Sequence, residues 1–276
     1  MFKCLVLVFM LINLYQVYSL YNLTQANIGV YLSGAAYCGK EKYSSMKLTG
    51  PAEGFVVHGT LHDITTDLQG YTGYLDSTKS IYVVFRGSTS LLNWLDDFEV
   101  RQVDYTTWPE CECKVHNGFY RAALNLKNET LFQVQTLMKK KPTFQVYMTG
   151  HSLGSTVGDL IAMELKKHQI NSIFYGYGKP RVGDSAYAKF VNSEIPNHYR
   201  HTHNKDIVPH VPPIEGFGYY HSCQEIFETE TGELRFCSQT DCEDKTCGNQ
   251  YRLSETNSQD HMYYLSHQVD CENSTL

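Results

Sequence analysis

The segment G-H-S-L-G at residues 150–154 constrains the fold of this chain more than any other feature. It follows an apolar run, 144–148, that predicts a strand, and it precedes a predicted helix. That helix is indicated by apolar residues at helical spacing: Val157, Leu160, Ile161 and Leu165. A serine in a sharp strand-to-helix turn needs small residues two positions before and after it, and both positions are glycine. A serine that only caps a helix needs neither glycine, so the pattern favours Ser152 as a nucleophile in a strained turn.

Strands and helices alternate along most of the remaining chain. The predicted elements are a hairpin of strands 69–75 and 81–85, a helix over 119–141, a strand over 173–177, a short helix around 187–191 and a strand over 199–203. This alternation predicts the α/β class, with a largely parallel sheet covered by helices. From residue 216 onward the regular pattern fades. One α/β domain with an irregular, disulfide-tied C-terminal segment is therefore expected over residues 20–276.

The N-terminus predicts export from the cell. A short basic start precedes the apolar run 4–12, and residues 17–19 give the small-x-small ending of a cleavable signal peptide. The apolar run is too short to span a membrane, so residues 1–19 are expected to be removed and not to act as an anchor. The expected product is a secreted, soluble protein. Its formal charge of −6, without a long basic run, argues against nucleic acid as a partner.

Cysteines and sequons fit an extracellular protein. Removal of residues 1–19 leaves eight of the nine cysteines, which predicts four disulfide bonds among 105 conceivable pairings. The eight candidates are Cys38, Cys111, Cys113, Cys223, Cys237, Cys242, Cys247 and Cys271. They form no CxxC pair of the kind typical of zinc sites, and no metal is expected. Candidate glycosylation sites are Asn22, Asn128 and Asn273.

A nucleophilic serine requires a base, usually a histidine that a carboxylate orients. In a strand–turn–helix frame these partners follow the serine in the order acid, then histidine. Asp206 follows the last predicted strand and is expected at the same edge of the sheet as the serine. Asp184 is better explained as the N-cap of the next helix, Asp159 lies within the helix after the serine, and His210 is too close in sequence to Asp206. The downstream histidines left open as the base are His221, His261 and His267.

Seven short segments occur together and in a fixed order along the chain. They are VFRGS at 84–88, NWL at 93–95, HNGF at 116–119, TGHSLG at 149–154, YGKPRVG at 177–183, NKDIVP at 204–209 and DHMYY at 260–264. With these segments the chain resembles the secreted fungal-type triacylglycerol lipases, which are the class 3 lipase family of the α/β-hydrolases. The resemblance extends from about residue 27 to residue 271, nearly the whole mature chain.

The resemblance implies a role for several residues. Asp206 would be the acid and His261 the base of a Ser-Asp-His triad, and His267 would then lie at the surface. Ser88 and the backbone N–H of Leu153 would hold the oxyanion of the tetrahedral intermediate. The segment after Ser88 would form a short helical lid whose apolar residues are Leu91, Leu92, Trp94 and Leu95.

The resemblance also implies how the cysteines pair. Cys38–Cys271 and Cys237–Cys247 match bridges of the family, and these leave Cys223 for Cys242. The remaining pair, Cys111–Cys113, is closer in sequence than the usual family pair.

The expected function is that of a secreted serine hydrolase that cleaves carboxylic esters of lipids at a lipid–water interface, with triacylglycerol as the favoured substrate. No organic cofactor is implied, and a monomer is expected. Two alternatives stay open. One is a phospholipase A1 or a feruloyl-type esterase on the same fold, although the apolar lid segment disfavours the feruloyl type. The other is a non-catalytic lipid-binding protein.

Overall fold

The structure is a computed structural model and describes residues 21–90 and 99–276. The predicted signal peptide, residues 1–19, and the four predicted lid residues lie outside the described residues. The α-helices are α1 (Leu23–Ala35), α2 (Asn117–Lys140), α3 (Leu153–Lys167), α4 (Ser185–Glu194) and α5 (Cys271–Ser274). The strands are β1 (Val56–Asp63), β2 (Leu68–Leu75), β3 (Ser80–Phe85), β4 (Gln102–Asp104), β5 (Lys114–His116), β6 (Gln145–His151), β7 (Ser172–Tyr177), β8 (His198–His203), β9 (Glu225–Glu228), β10 (Leu234–Phe236), β11 (Tyr263–Tyr264) and β12 (His267–Gln268).

Eight of the described strands form one sheet, in the order β1-β2-β3-β6-β7-β8-β9-β10. Each pair from β3–β6 to β8–β9 is parallel. The pairs β1–β2, β2–β3 and β9–β10 are antiparallel. This mostly parallel sheet with helices on its faces confirms the predicted α/β-hydrolase class, and the predicted hairpin is the pair β2–β3.

The register of the parallel strands brings their carboxyl ends to one edge of the sheet. Phe85 of β3 pairs with Gly150 of β6, and Tyr177 of β7 pairs with His151 of β6 and with His201 of β8. Since parallel strands run in one direction, the residues that follow them meet at the same edge, where open α/β sheets carry their sites. Ser152 and Asp206 both lie on loops that leave this edge.

The two faces of the sheet bury different side chains. In β3, Ile81, Val83 and Phe85 pack into an apolar cluster with α2 and α3, whereas Tyr82 and Val84 pack into the cluster around α1. This alternation follows from the period of two residues in a strand. The face toward α1 also carries a row of buried tyrosines on successive strands: Tyr82, Tyr147, Tyr175 and Tyr199.

Several elements were not predicted from the sequence, among them α1, β1, β9 and β10. Helix α1 starts at its N-cap Asn22, whose side chain accepts a hydrogen bond from the Gln25 amide at 3.1 Å. Nine of its residues are buried, so it shows no polar stripe by which a helix is recognised. Strands β9 and β10 are too short for an alternating pattern, and they place part of the segment after residue 216 in the main sheet, where irregular structure was expected.

Four disulfide bonds join the eight cysteines: Cys38–Cys271, Cys111–Cys113, Cys223–Cys242 and Cys237–Cys247. Cys38–Cys271 and Cys237–Cys247 are the pairs that the family resemblance implied, and the other two are the pairs expected from the cysteines that remained. The first bond links the turn after α1 to the first residue of α5, and thereby ties the C-terminal segment to the start of the described chain. None of the helices in residues 21–90 and 99–276 combines the length and apolarity that crossing a membrane requires.

Candidate active site

Ser152 occupies the turn between β6 and α3. Strand β6 ends at His151 and α3 begins at Leu153, so Ser152 is the single residue between them. Its backbone has φ 55° and ψ −131°, which non-glycine residues adopt only where the surrounding structure enforces it. One such restraint is the hydrogen bond that its amide donates to the carbonyl oxygen of Tyr177 at 2.9 Å. The strained strand–turn–helix expected for the pentapeptide is present.

Gly150 and Gly154 allow the backbones of the turn and the neighbouring strand to approach closely. A Cβ atom at Gly154 would lie 2.2 Å from the carbonyl oxygen of Phe85, and one at Gly150 would lie 2.6 Å from the carbonyl carbon of Gly154. These neighbours are backbone atoms, which cannot rotate away as a flexible side chain can. A larger residue at either position would therefore displace α3 from the sheet.

Asp206 lies on the loop after β8 and is buried. Its carboxylate accepts hydrogen bonds from Nδ1 of His261 at 2.9 and 3.0 Å, from the amide of Val208 at 2.8 Å, and from the hydroxyl of Tyr264. Burial alone would raise the pKa of Asp206, but the neighbouring His261 and these hydrogen bonds lower it below its ordinary value. The carboxylate is therefore ionised at neutral pH and can hold a histidine in one orientation.

His261 lies in the short 3-10 turn Asp260–Met262, far in sequence from Asp206. A carboxylate only accepts, so the ring donates from Nδ1 and leaves Nε2 as its free acceptor. Gly178, with φ 56°, packs against the pair: a Cβ atom there would lie 2.7 Å from Cε1 of His261 and 2.9 Å from Oδ2 of Asp206. The carbonyl oxygen of His261 accepts from Nε2 of His151 at 2.7 Å, which holds the turn beside the nucleophile strand.

Ser152 Oγ and His261 Nε2 are both buried, and neither has a hydrogen-bond partner among the described residues. The hydrogen bond between nucleophile and base is thus not formed in this structure. The ring of His261 nevertheless lies 4.3 Å, between centroids, from the ring of His151, the residue before the serine. Such bonds are often long without substrate and shorten in the reacting complex. The arrangement leaves free the two atoms that a proton transfer would join.

The rival acids of the sequence have other partners. Asp184 caps α4 by accepting from the amide of Tyr187 at 2.8 Å, as predicted. Asp159 is fully buried and accepts from Lys179 at 2.9 Å and from His198 at 3.0 Å. Burial alone would raise the pKa of Asp159, but these two groups lower it. It forms a buried structural ion pair.

The rival histidines are also engaged elsewhere. His221 donates from Nε2 to the carbonyl oxygen of Pro209 at 2.7 Å. His267 was expected at the surface, and this expectation was wrong. It is only 5% exposed, it stacks on Tyr31 with 3.7 Å between ring centroids, and it hydrogen-bonds to Ser274. Its burial follows from the return of the C-terminal segment onto α1, which local sequence does not reveal.

Ser88 and Leu153 border the nucleophile from two sides. Ser88 follows Gly87, where a Cβ atom would lie 3.0 Å from Cβ of Ser152. The hydroxyl of Ser88 donates to the carbonyl oxygen of Ser90 at 3.2 Å. Leu153 is the first residue of α3, where backbone N–H groups have no partner within the helix. Gly87, the residue before Ser88, therefore lies against the nucleophile, and Leu153 follows the nucleophile directly.

Sequence reasoning missed four residues that contact this site: Tyr37, His151, Gly178 and Tyr264. Tyr264 belongs to the aromatic pair after His261, and His151 belongs to the pentapeptide, so both lay within recognised segments. Their hydrogen bonds join residues that are distant in sequence, which no local pattern encodes. Tyr37 hydrogen-bonds to Nδ1 of His151 at 2.7 Å and had no signal of its own.

Comparisons with known proteins agree with this geometry. The family model described as Lipase (class 3) matches residues 82–216. A lipase of Rhizomucor miehei is 38% identical over 199 residues, which are 69% of this chain and 53% of that protein. The secreted mono- and diacylglycerol lipase 1 of Fusarium solani is 35% identical over 172 residues, 62% of this chain and 51% of that protein. The chain thus spans about half the length of these curated relatives.

A solved structure is similar to this fold over most of both chains. The triacylglyceride lipase of Rhizomucor miehei is 30% identical, with a TM-score of 0.82, and the match covers 90% of this chain and 96% of that one. Three observations support the same family assignment: a serine in a strained elbow, an Asp–His pair beside it and this extent of similarity. The chain belongs to the class 3 lipase family of the α/β-hydrolase superfamily.

Proposed function

We propose that the protein is a serine hydrolase that cleaves carboxylic esters of lipids, with triacylglycerol as the favoured substrate. The observation that carries the proposal is the buried Asp206–His261 pair beside Ser152, with Oγ of the serine and Nε2 of the histidine both unpartnered. A capping serine and a core histidine would both be satisfied by hydrogen bonds. The names of two relatives, a triacylglyceride lipase and a mono- and diacylglycerol lipase, support the substrate class.

In the proposed mechanism, His261 accepts the proton of Ser152 at Nε2 while Oγ attacks the ester carbonyl carbon. The carbonyl π pair moves to oxygen and gives a tetrahedral intermediate. Its collapse expels the alcohol, which takes the proton from His261, and leaves an acyl–serine ester. Water then loses a proton to Nε2 and attacks the acyl carbon, and collapse returns the proton to Ser152 and releases the fatty acid. Asp206 holds the ring and stabilises the imidazolium in both halves.

Ser88 and the amide of Leu153 are proposed to hold the oxyanion. The negative charge develops at the N-terminus of α3, where the helix dipole and free N–H groups stabilise it. The removal of one such donor typically raises the barrier by about 3–4 kcal/mol. The apolar residues Leu91, Leu92, Trp94 and Leu95 are proposed as the lid that opens at lipid.

Export is proposed from the predicted signal peptide, residues 1–19, ahead of a single domain over residues 20–276. The four disulfide bonds support an oxidising destination, because such bonds persist mainly outside the cytosol. Glycosylation at Asn22, Asn128 and Asn273 and a monomeric state are proposed with it. The name of the Fusarium solani relative includes the word secreted, which supports the same view.

The proposal is tested by comparing the wild type with Ser152→Ala. We expect turnover of a triglyceride emulsion to fall by roughly 10⁵- to 10⁶-fold, because the acyl-accepting oxygen is lost. A matched control is Ser33→Ala, which removes a buried hydroxyl that hydrogen-bonds to Thr149; its activity should stay near that of the wild type. Labelling by a fluorophosphonate should occur in the wild type and in the control only. Ester cleavage by Ser152→Ala would overturn the assignment.

Substrate class is decided by rates on four substrates: a dissolved short-chain ester, a triglyceride emulsion, phospholipid vesicles and a feruloyl ester. A lipase should turn over the emulsion fastest, with a rise in rate once a lipid surface forms. Faster cleavage of the vesicles would favour a phospholipase A1, and faster cleavage of the feruloyl ester would favour that esterase. Binding of lipid without cleavage or labelling would favour the non-catalytic alternative.

A further inference from the structure

We propose that Tyr37 is a positioning residue of the active site. With His151 it forms a hydrogen-bonded bridge between the loop that carries Ser88 and the backbone of His261. The inference rests on the proposed hydrolase function. Tyr37 does not touch the reacting atoms in this proposal. It acts through the residues that it holds in place.

The bridge consists of two short hydrogen bonds. The hydroxyl of Tyr37 lies 2.7 Å from Nδ1 of His151, and Nε2 of His151 lies 2.7 Å from the carbonyl oxygen of His261. The ring of His151 is fully buried, and its partners come from segments 114 and 110 residues away in sequence. Three distant parts of the chain therefore meet at one imidazole.

The direction of each hydrogen bond is fixed by chemistry. The carbonyl oxygen of His261 can only accept, so Nε2 of His151 carries a proton and donates. Burial, together with the neighbouring His261, lowers the pKa of His151 to about 3, so the ring is neutral at ordinary pH. A neutral ring with a proton on Nε2 accepts at Nδ1, and Tyr37 is the donor. The bridge can therefore transmit position without adding charge beside the imidazolium that forms on His261.

The oxygen of Tyr37 also contacts the loop before Ser88. A Cβ atom at Gly87 would lie 2.2 Å from this oxygen, 2.8 Å from the carbonyl oxygen of His151 and 3.0 Å from Cβ of Ser152. Burial raises the pKa of Tyr37, and both the charge of Arg86 and a hydrogen bond from the backbone of Gly87 oppose that rise. The hydroxyl therefore packs against Gly87 of the Ser88 loop and donates to His151.

The hydrogen bond from His151 to the backbone of His261 matters because His261 lies in irregular structure. Its ring is oriented by Asp206 at Nδ1, whereas its backbone is held by His151 at the carbonyl oxygen. A small shift of that backbone changes the distance from Nε2 to Ser152, and rates fall steeply when reacting groups are misplaced. The same hydroxyl also fixes Gly87, so loss of Tyr37 should affect the base and the Ser88 loop together.

The test is Tyr37→Phe, assayed on p-nitrophenyl butyrate in solution. We expect kcat to fall about tenfold, since a positioning hydrogen bond is lost, while KM stays within about twofold. The matched control is Tyr43→Phe, which removes a buried hydroxyl from the same segment that donates to the carbonyl oxygen of Ala36 at 2.7 Å. Its kcat should equal that of the wild type. A kcat for Tyr37→Phe within twofold of the wild type would overturn the inference, as would an equal loss in Tyr43→Phe.

A double-mutant cycle with His151→Gln shows whether the two residues act as one bridge. If they do, kcat of the double variant should be no lower than kcat of the less active single variant. Losses that multiply would contradict a shared bridge. Should His151→Gln fail to fold, as judged by its thermal transition, Tyr37→Phe and its control still decide. An inactive, unlabelled wild type would refute the proposed function itself, whereas an active wild type with an unaffected Tyr37→Phe refutes only this inference.

Discussion

The two halves of the candidate triad are held in place by different physical means. The nucleophile half, residues 145–167, is a strand, one strained residue and a helix, positioned by close backbone packing at Gly150 and Gly154. The acid–base half lies within residues 204–276 and contains little regular structure. There, side-chain hydrogen bonds position the groups. Asp260 illustrates this, since its Oδ2 accepts from Asn204, Lys205 and Asn257 at 2.9 to 3.1 Å and holds the turn with His261.

The difference teaches that one active site can combine two kinds of sensitivity. The nucleophile half tolerates no added atoms at Gly150 or Gly154, because backbone atoms already lie as close to these glycines as packing allows. The acid–base half tolerates few lost polar atoms, because the carboxylates of Asp206 and Asp260 each accept hydrogen bonds from several specific partners. An added atom in the first should therefore appear mainly as instability, and a lost polar group in the second mainly as lost turnover.

Among the changes that compare the two halves, the largest effect is expected for Asp206→Asn. The substituted amide can present an N–H to Nδ1 of His261 and so favours the wrong tautomer. We expect kcat to fall about 10⁴-fold, while the thermal transition moves little. Steady-state kinetics on a dissolved ester, beside a thermal melt, would measure both. If turnover fell less than tenfold, the acid–base half would not depend on this carboxylate.

Gly154→Ala should disrupt the nucleophile half. Its new methyl group would lie 2.2 Å from the carbonyl oxygen of Phe85, so we expect a loss of at least about 3 kcal/mol in the free energy of unfolding. Gly158→Ala in the same helix is the control, since the nearest atom to its Cβ is in the side chain of Phe174, at 3.4 Å. It should be neutral or stabilising by up to about 1 kcal/mol, because alanine favours a helix. Equal urea midpoints for the two variants would show that packing does not hold this half.

Removal of the Cys38–Cys271 bond should loosen the acid–base half. This bond spans 233 residues of sequence, so its replacement by serines frees much of the unfolded chain and should cost about 2–4 kcal/mol of stability. The Cys111–Cys113 bond spans two residues and should contribute much less. Urea unfolding of the two double-serine variants measures the difference. A greater loss from the Cys111–Cys113 variant would contradict it.

The smallest expected effect is the change in the free energy of unfolding per pH unit that two strand histidines cause. Burial lowers the pKa of both His151 and His201 to about 3, below the ordinary value of 6.5. Between these values the unfolded chain binds a proton that the folded chain does not, so stability should fall as the pH falls from 6.5 toward 3. Each histidine contributes about 1.4 kcal/mol per pH unit at most.

Urea unfolding between pH 7 and pH 4 would measure this slope. His201→Gln should reduce it, and the same change at His168, whose side chain is 45% exposed, should not. An unchanged slope in His201→Gln would mean that the pH dependence arises elsewhere, for example in the acid–base half.

Much of the fold and site could be predicted because the informative patterns are local. The pentapeptide at 150–154 predicted a strained turn between strand and helix, and the strand before Asp206 predicted its place at the sheet edge. The choice among His221, His261 and His267 could not be made this way, since all three follow Asp206 and none has a distinctive neighbour. Only the family resemblance implied His261, and His267 was then wrongly placed at the surface.

Periodicity, turn chemistry and cysteine number can be read from the sequence alone, and they predicted an α/β sheet, the serine elbow and four disulfide bonds. The contacts among Tyr37, His151 and His261, the burial of His267 and the packing of Gly178 against the acid and base join segments far apart in the chain. Such contacts depend on how the C-terminal segment folds back over α1 and the sheet edge. Hydrophobic packing and mutual hydrogen bonding of the whole molecule decide that path, and no single stretch of residues encodes it.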